Sequence, residues 1–206
     1  MKRPPFYILA GLAVVLAAAY YFYSHSIPAF WTLNAAESSL SFTSVKNGNI
    51  EEVHTITGLS GGADFMGEYS ITMDLRTVET NFDIRNERMR EFFFETDTWA
   101  LATISGPFEP RVFENLPVGA TLRTRIRGTL SLHGIEQSIA VDVVVTRTAW
   151  DRVTVSSFLP VIIDAADYSL EGGIETLRGL VGLDSISPIT NVSFELVLEG
   201  GVTSGS

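Results

Sequence analysis

The sequence predicts an all-β protein with two short helices, folded as an antiparallel sandwich or closed barrel. From Phe30 onward, apolar and polar residues alternate with a period of two, as a half-buried strand requires. About nine such stretches follow one another with turn residues between them and no βαβ rhythm. Two short helices cannot cover a sheet of this size, so the strands must bury their apolar faces against one another.

The composition fits a single large β domain and excludes several classes of function. The chain has 206 residues, a formal charge of −10 and no cysteine. The lack of cysteine excludes disulfides, thiol catalysis and cysteine-ligated zinc. The acidic balance argues against a nucleic-acid partner, which needs clustered lysine and arginine.

The N-terminal segment has the features of an export signal. Lys2 and Arg3 precede an uncharged run, Phe6–Tyr23, which would be ~27 Å long as a helix and could span a bilayer. A cleaved signal peptide with Ala17–Ala19 as the cleavage region, an uncleaved signal anchor and a buried core helix are the alternatives. The aromatic residues Tyr20–Tyr23 favour the anchor, because such side chains suit the membrane interface. We therefore expect an exported, periplasmic domain that residues 6–23 anchor in the cytoplasmic membrane.

We divide the chain into four parts: a signal segment at 1–24, a tether at 25–29, a β domain at 30–200 and a disordered tail at 201–206.

In the β domain, apolar and polar residues alternate most clearly in the stretch Leu122–Leu132, with arginines on one face and leucine or isoleucine on the other. The predicted strands are Trp31–Asn34, Ser39–Lys46, Glu52–Gly58, Tyr69–Leu75, Ala102–Pro107, Leu122–Leu132, Gln137–Thr148, Val153–Ile163 and Ile189–Glu199.

The first predicted helix, Asn86–Glu95, carries three consecutive phenylalanines, Phe92, Phe93 and Phe94. Three successive helical residues sweep about 200° of the helix circumference, so one buried stripe cannot hold all three. The rings must therefore meet apolar groups on more than one side. Either they seal the end of the core together with Trp99, or some of them line an apolar cavity able to hold a lipid tail.

A second helix is indicated by Ile174, Leu177 and Val181, which have helical spacing, with Pro188 beyond its end. This helix either packs onto the barrel or forms a lid over it.

No catalytic motif is present. His54 and Glu52 share a strand face, but a metal site needs three or more ligands. We therefore predict no catalytic, metal-ligating or cofactor-binding residues.

Four segments in a fixed order resemble the YceI-like family of exported lipid-binding proteins, over Trp31 to about Glu199. The segments are Trp31–Leu33 with Ser38–Phe42, Thr80-Asn81 with Arg85–Arg90 and Phe92-Phe93, Gly128–Ile135, and Asp164–Leu170. Four residues depart from the family pattern, namely Asn86, Met89, Asp164 and Tyr168. Because these positions are near the helices, contacts to a ligand head group are not carried over from the family.

The resemblance implies a lipocalin-like antiparallel barrel whose apolar interior holds an isoprenoid or a quinone-type lipid. The function it implies is that of a carrier or scavenger in the cell envelope, without catalysis. One alternative is a structural or interaction module with a filled barrel. A less favoured alternative is an envelope enzyme. Small inward residues such as Ala102, Gly128 and Ala140 would leave room for a ligand. The expected partners are a lipid and the membrane, with a dimer left open. The candidate ligand-binding residues are Phe42, Phe92, Phe93, Phe94, Trp99 and Ile126.

Overall fold

The structure, a computed structural model, describes residues 30–201. The signal segment, the tether and residues 202–206 of the predicted tail lie outside this range, so the predictions made for them stay predictions. Within residues 30–201, no helix has the length and apolar character needed to cross a bilayer.

Within residues 30–201, ten strands pair into one sheet, and every ladder in it is antiparallel. This confirms the predicted fold class. The strands are β1 (Phe30–Leu33), β2 (Ser39–Lys46), β3 (Ile50–Asp64), β4 (Glu68–Glu79), β5 (Leu101–Pro107), β6 (Thr121–Leu132), β7 (Ile135–Ala149), β8 (Arg152–Ser157), β9 (Val161–Asp164) and β10 (Ile189–Gly201).

Eight of these strands close into a barrel, and β10 makes the closure. β10 pairs with β2 through Val192–Glu195 and with β8 through Glu195–Glu199, so the ring runs from β2 to β8 and back through β10. β1 and β9 extend the wall at opposite ends of β10. The sandwich alternative is therefore wrong, because one continuous sheet meets itself.

One predicted strand, Val153–Ile163, is divided into β8 and β9. The chain leaves the ladder at Phe158–Pro160, where the last bond to β7 is made by the N–H of Phe158 to the carbonyl of Asp142 (2.9 Å). Pro160 has no N–H to continue that ladder, which is the physical reason for the break.

The two predicted helices are present at one end of the barrel, which we call the helical end. The first is α1 (Asp83–Arg88), which continues as a π-helical turn, Met89–Phe93, named here the π segment. A short helix, α2 (Pro110–Glu114), was not predicted, because five residues are too few to show a helical period. The helix α3 (Glu171–Val181) packs on the π segment.

The opposite end of the barrel, the far end, is filled by protein side chains. Val141, Val143 and Val145 of β7 point inward there, and Phe113 and Leu116 from the α2 region pack against them. Arg147, two residues further along the same inner face, is 2% exposed. Its guanidinium donates hydrogen bonds to backbone carbonyls on both sides of the barrel end. The far end is thus closed by a packed cluster and a buried arginine.

A buried amide fixes α1 to the end of β4. Asn86 is 5% exposed, and its Oδ1 accepts hydrogen bonds from the backbone N–H (2.8 Å) and the hydroxyl (2.7 Å) of Thr80. Its Nδ2 donates to Oε1 of Glu79 (3.1 Å). The hydrogen bond from Asn86, followed by the one from the backbone of Asn81, lowers the pKa of the Glu79 carboxyl.

We expect Asn86→Ala to lower the free energy of unfolding by about 1–3 kcal/mol, because it leaves the buried N–H of Thr80 without an acceptor and leaves the Thr80 hydroxyl with only the carbonyl of Phe82, at 3.4 Å. Asn86→Asp restores the acceptor but places a second carboxylate beside Glu79. One carboxyl of that pair then has a raised pKa, so the Asp variant should gain stability relative to wild type as the pH falls from 7 towards 5. Urea unfolding at both pH values measures this. The control is Asn115→Ala, which removes an exposed side chain. An Asn86→Ala variant within 0.5 kcal/mol of wild type would contradict the assignment.

Candidate functional site

An apolar cavity of about 490 Å³ lies between the barrel wall and the helical end. The wall is lined by inward-facing side chains of the strands, with the helices above them. Wall residues include Leu40, Phe42, Ile56, Met73, Leu75, Ala102, Ile104, Leu130, Leu132, Ile139, Val141, Ile163, Val192 and Phe194. The helices contribute Met89, Phe93, Phe94, Ile174, Leu177 and Val181. An eight-stranded barrel is wide enough to hold one small ligand, and the alternation of apolar and polar residues along the strands makes its interior apolar.

The cavity opens to solvent beside α1 and α3. Phe82, Ile84 and Val181 line the cavity and are also more than half exposed, which marks the opening. We call this opening the cavity mouth. A ligand in the cavity would therefore have one end buried in the barrel and the other at the mouth.

The space inside the barrel depends on Ala102 and not on the other two small residues named from the sequence. Ala102 lines the cavity and is 3% exposed. A Cβ added to Gly128 would lie 2.2 Å from the hydroxyl oxygen of Tyr69, so that glycine accommodates a tyrosine and leaves no empty room. Burial raises the pKa of Tyr69 to about 12. Ala140 is exposed on the outer face of β7. The expectation for Gly128 and Ala140 was wrong.

The π segment and Phe94, which directly follows it, place two of the three consecutive phenylalanines in the cavity wall. The N–H of Phe94 bonds to the carbonyl of Met89 (2.9 Å), which widens this turn and brings successive side chains closer in direction. Phe93 and Phe94 both line the cavity, with ring centroids 4.7 Å apart, and Phe94 meets Phe42 edge-on at 6.2 Å.

Phe92, Trp99 and Ile126 are not among the residues that line the cavity. Phe92 is half-buried beside α3, where a Cβ on Gly173 would come within 2.5 Å of the Phe92 carbonyl oxygen. The Trp99 ring covers the β6–β7 turn at Gly134 and His133. Ile126 packs in the far-end cluster. Ligand binding stays a prediction for all six residues, and only Phe42, Phe93 and Phe94 lie where they could contact a ligand.

A polar cluster lies on the inner wall at the mouth, and the sequence analysis found only its His54 and Glu52, as two residues on one strand face. It consists of Ser44 and Lys46 on β2, Glu52 and His54 on β3, and Arg85 on α1, and we name it the mouth cluster. All five except Glu52 line the cavity. A signal for it was present: the inward positions of β2 change from Leu40 and Phe42 to Ser44 and Lys46 along one face.

Glu52 links the two cations of the mouth cluster. Nη1 of Arg85 donates to Oε2 of Glu52 (2.9 Å), and Nζ of Lys46 pairs with the same oxygen. Burial alone would raise the pKa of Glu52, but the hydrogen bond from Lys46 and the charges of Arg85 and Lys46 outweigh it and lower that pKa. The carboxylate is therefore ionised at neutral pH.

His54 is the buried member of the mouth cluster, at 2% exposure. Its Nε2 is 2.9 Å from the hydroxyl oxygen of Ser44, and its ring lies edge-on to Phe42 at 5.3 Å. Its Nδ1 has no hydrogen-bond partner among residues 30–201. Burial first, and then the charge of Arg85, lower the pKa of His54, while Glu52 opposes the shift. The imidazole is therefore neutral at pH 7.

The depressed pKa of His54 predicts a pH dependence of stability. Below about pH 6.5 an unfolded histidine binds a proton that the native His54 does not bind, so the free energy of unfolding should fall as the pH is lowered from 6.5. The slope from this one group is at most about 1.4 kcal/mol per pH unit. Chemical unfolding of wild type and His54→Gln between pH 7.5 and 5.0 measures it. Equal slopes in the two proteins would contradict the assignment.

The described residues place no three or more His, Cys, Asp and Glu side chains where they could hold a metal ion together. The site is an apolar chamber whose mouth carries exposed apolar side chains together with the charged and hydrogen-bonding groups of the mouth cluster. Such a chamber can bind an apolar chain by burial and orient one polar end at the mouth.

Comparisons with known proteins agree with this architecture. No curated protein matches the chain. A solved polyisoprenoid-binding domain from Saccharophagus degradans, implicated in plant cell wall breakdown, is 40% identical. The match covers 84% of this chain and 99% of that one, with a TM-score of 0.82. BcnA of Burkholderia cenocepacia shares the fold at 17% identity, with a TM-score of 0.64 over 80% of this chain and 98% of that one. The family model of the YceI-like domain matches residues 31–198, and the chain therefore belongs to the YceI-like family.

Proposed function

We propose that this chain is a non-enzymatic binding protein of the cell envelope that holds an isoprenoid or similar long-chain lipid in its barrel, as a carrier or scavenger. The observation that carries the proposal is the apolar cavity between the inner wall and the helical end. The relative from Saccharophagus degradans, a polyisoprenoid-binding domain, supports lipid as the ligand class.

The cavity can supply the affinity that this function requires. Its volume of about 490 Å³ lies in the range of small-molecule pockets, roughly 300–1,000 Å³. Burying ~400 Å² of apolar tail at about 25 cal/mol per Å² offers on the order of 10 kcal/mol, before the costs of association and ordering. Apolar burial therefore offers a driving force of the size that binding requires, and the function needs no catalytic group.

The cavity also argues against the two alternative functions. A structural module with a filled barrel needs bulk at every inward position, whereas the small side chain of Ala102 lines the cavity. An envelope enzyme needs converging reactive groups, and the wall of the cavity is apolar apart from its mouth.

Envelope location is supported by the sequence of residues 6–23 and by the surface around the mouth. Exposed Phe82, Ile84 and Val181 lie at the opening, and exposed apolar side chains there suit the transfer of a lipid from a bilayer. Cell fractionation with and without residues 1–24 tests the location. The full chain should sediment with the cytoplasmic membrane and be accessible to protease only from the periplasmic side.

Binding itself is tested with an environment-sensitive fluorescent fatty probe and a series of isoprenoid alcohols of increasing length. We expect the probe to bind at one site per chain and to be displaced more effectively as the isoprenoid grows, until the tail fills the cavity. The absence of saturable probe binding to delipidated, folded protein would refute the proposal.

A further inference from the structure

An exposed apolar turn joins β3 to β4 at the far end of the barrel. Phe65 and Met66 form its tip, and their side chains are 69% and 76% exposed. Tight turns are normally built from glycine, proline, asparagine, aspartate and serine, which supply the required backbone geometry and are tolerated by water. A phenylalanine and a methionine at this tip therefore call for an explanation other than turn formation.

The backbone of this turn is fixed without the help of the two apolar side chains. Oδ1 of Asp64 accepts hydrogen bonds from the N–H of Met66 (2.9 Å) and the N–H of Glu68 (3.0 Å). Gly67 has a φ of +92°, and a Cβ there would lie 2.6 Å from the carbonyl oxygen of Phe108, so the position requires glycine. The turn is thus held in one conformation that leaves both apolar side chains at the surface.

The apolar turn lies beside the residue at which the described chain begins. Phe30 is paired with Asp64 in the β1–β3 ladder, directly before the turn. Phe30 is 40% exposed, and Val118, in the loop that precedes β6 at the same end of the barrel, is 55% exposed. We call Phe30, Phe65, Met66 and Val118 the far-end apolar face. The chain continues from this face towards residues 24–29 and the apolar run at 6–23.

The length of that connection restricts which end of the barrel can meet a membrane spanned by residues 6–23. A chain extends at most ~3.6 Å per residue, so the stretch from Tyr23 to Phe30 reaches ~25 Å at most. Glu52 of the mouth cluster and Asp64 lie ~30 Å apart along the barrel axis, at ~3.3 Å per residue and a strand tilt of ~40°. If the mouth met that membrane, the connection would have to run the whole length of the barrel, and it is too short to do so.

We propose that the far-end apolar face docks on the bilayer that holds residues 6–23, with Phe65 and Met66 inserted at the membrane interface. The inference rests on the membrane anchoring in the proposed function and adds an orientation to it. Apolar groups at such an interface reach ~5–10 Å into the boundary between head groups and acyl chains. The turn is flanked by the carboxylates of Asp64 and Glu68, so docking depends on apolar contact and not on attraction to anionic lipid.

This orientation has a consequence for the cavity. The mouth lies at the helical end, opposite the far-end apolar face, and would point away from the anchoring bilayer. The bilayer with which the mouth exchanges lipid is then not the one that holds residues 6–23.

The test uses the absence of cysteine, which allows one introduced cysteine to carry a fluorophore at a chosen position. The full chain is labelled at Phe65→Cys or at Ile162→Cys and reconstituted in phosphatidylcholine vesicles that contain doxyl-labelled phosphatidylcholine. Ile162 is the matched control, because it is also 69% exposed but lies on β9, away from the far end. We expect the doxyl lipid to quench the label at Phe65→Cys at least about threefold more strongly, because only that label enters the bilayer.

A longer connection separates docking from simple tethering. A flexible Gly/Ser insert of about 20 residues before Phe30 removes the restriction on distance. Quenching of the Phe65→Cys label should then stay within about twofold of its original value, because the face has its own affinity for the bilayer, and Met66→Ser should lower it. Quenching that falls to the level of the Ile162→Cys label in the lengthened chain would overturn the docking face.

The other outcomes are also distinct. An anchored chain in which the Ile162→Cys label is quenched as strongly as the Phe65→Cys label, or in which neither is quenched, would overturn the docking face and leave the anchoring and the lipid binding standing. Release of the full chain from the vesicles by alkaline carbonate would overturn the anchoring, and the docking with it. Probe binding to the delipidated barrel is measured separately and does not depend on either result.

Discussion

Ala102→Phe should weaken the binding of a long isoprenoid alcohol about 100-fold without unfolding the protein. Ala102 is a buried cavity-lining residue near the start of β5, and a benzyl group there would occupy space that a ligand tail needs. Excluding ~120 Å² of tail from contact costs about 3 kcal/mol, which corresponds to roughly two orders of magnitude in Kd. Probe displacement on delipidated protein measures the change.

The matched control for this substitution is Ala140→Phe on the outer face of β7. It adds the same group to the same barrel at an exposed position, so the affinity should stay within about twofold of wild type. Thermal unfolding checks that both variants fold, and the inner variant should not be less stable, because it fills a void. Wild-type affinity in a folded Ala102→Phe protein would show that the tail binds somewhere else.

Arg147→Met should lower the free energy of unfolding by about 3–5 kcal/mol, the largest stability effect that we expect of a single substitution. The guanidinium donates to the carbonyls of Phe113 (3.3 Å), Leu116 (3.4 Å), Ala149 (3.4 Å) and Trp150 (2.5 Å). Burial lowers the pKa of Arg147, yet arginine stays protonated at any ordinary pH. Removing it takes a charged donor away from four partly buried carbonyls at once, of which that of Phe113 still accepts from the N–H of Leu116, and separates the α2 region from the β7–β8 turn.

Two further variants test whether hydrogen-bond geometry explains this effect. Arg147→Lys keeps the charge but not the planar fork of donors, so its stability should lie between those of Arg147→Met and wild type. Arg125→Met removes an exposed ion pair and should cost less than about 1 kcal/mol. Urea unfolding of all three gives the comparison. A cost below 1 kcal/mol for Arg147→Met would mean that the far end is closed by the valine cluster alone.

Most of the fold could be predicted, because a strand with one buried and one exposed face shows alternating apolar and polar residues within its own sequence. β6 and β10 were predicted almost residue by residue, since one face of each is apolar and the other polar. Barrel closure could not be predicted from this alternation, because the strands of a β-sandwich show the same pattern. Closure depends on β10 pairing with both β2 and β8, which are far apart in the chain.

The candidate site was only partly predictable. The sequence showed that Phe92, Phe93 and Phe94 cannot share one stripe of an α-helix, but the π segment, which turns Phe93 and Phe94 to the same cavity, has no local sequence signature. Trp99 and Ile126 carry apolar side chains that suit a cavity wall, yet tertiary packing places them at a turn and in the far-end cluster. Most of the mouth cluster was missed because its members come from three separate elements and converge only in the folded barrel.

The central claim is that the barrel of this chain holds a foreign lipid, and native mass spectrometry tests it most directly. The protein would be purified from its own host without detergent, and organic extraction of the same sample would identify whatever is released. We predict one additional mass per chain that disappears on extraction and is recovered as a long-chain isoprenoid or similar lipid. A native mass equal to that of the polypeptide alone, with nothing recovered in the extract, would contradict the account.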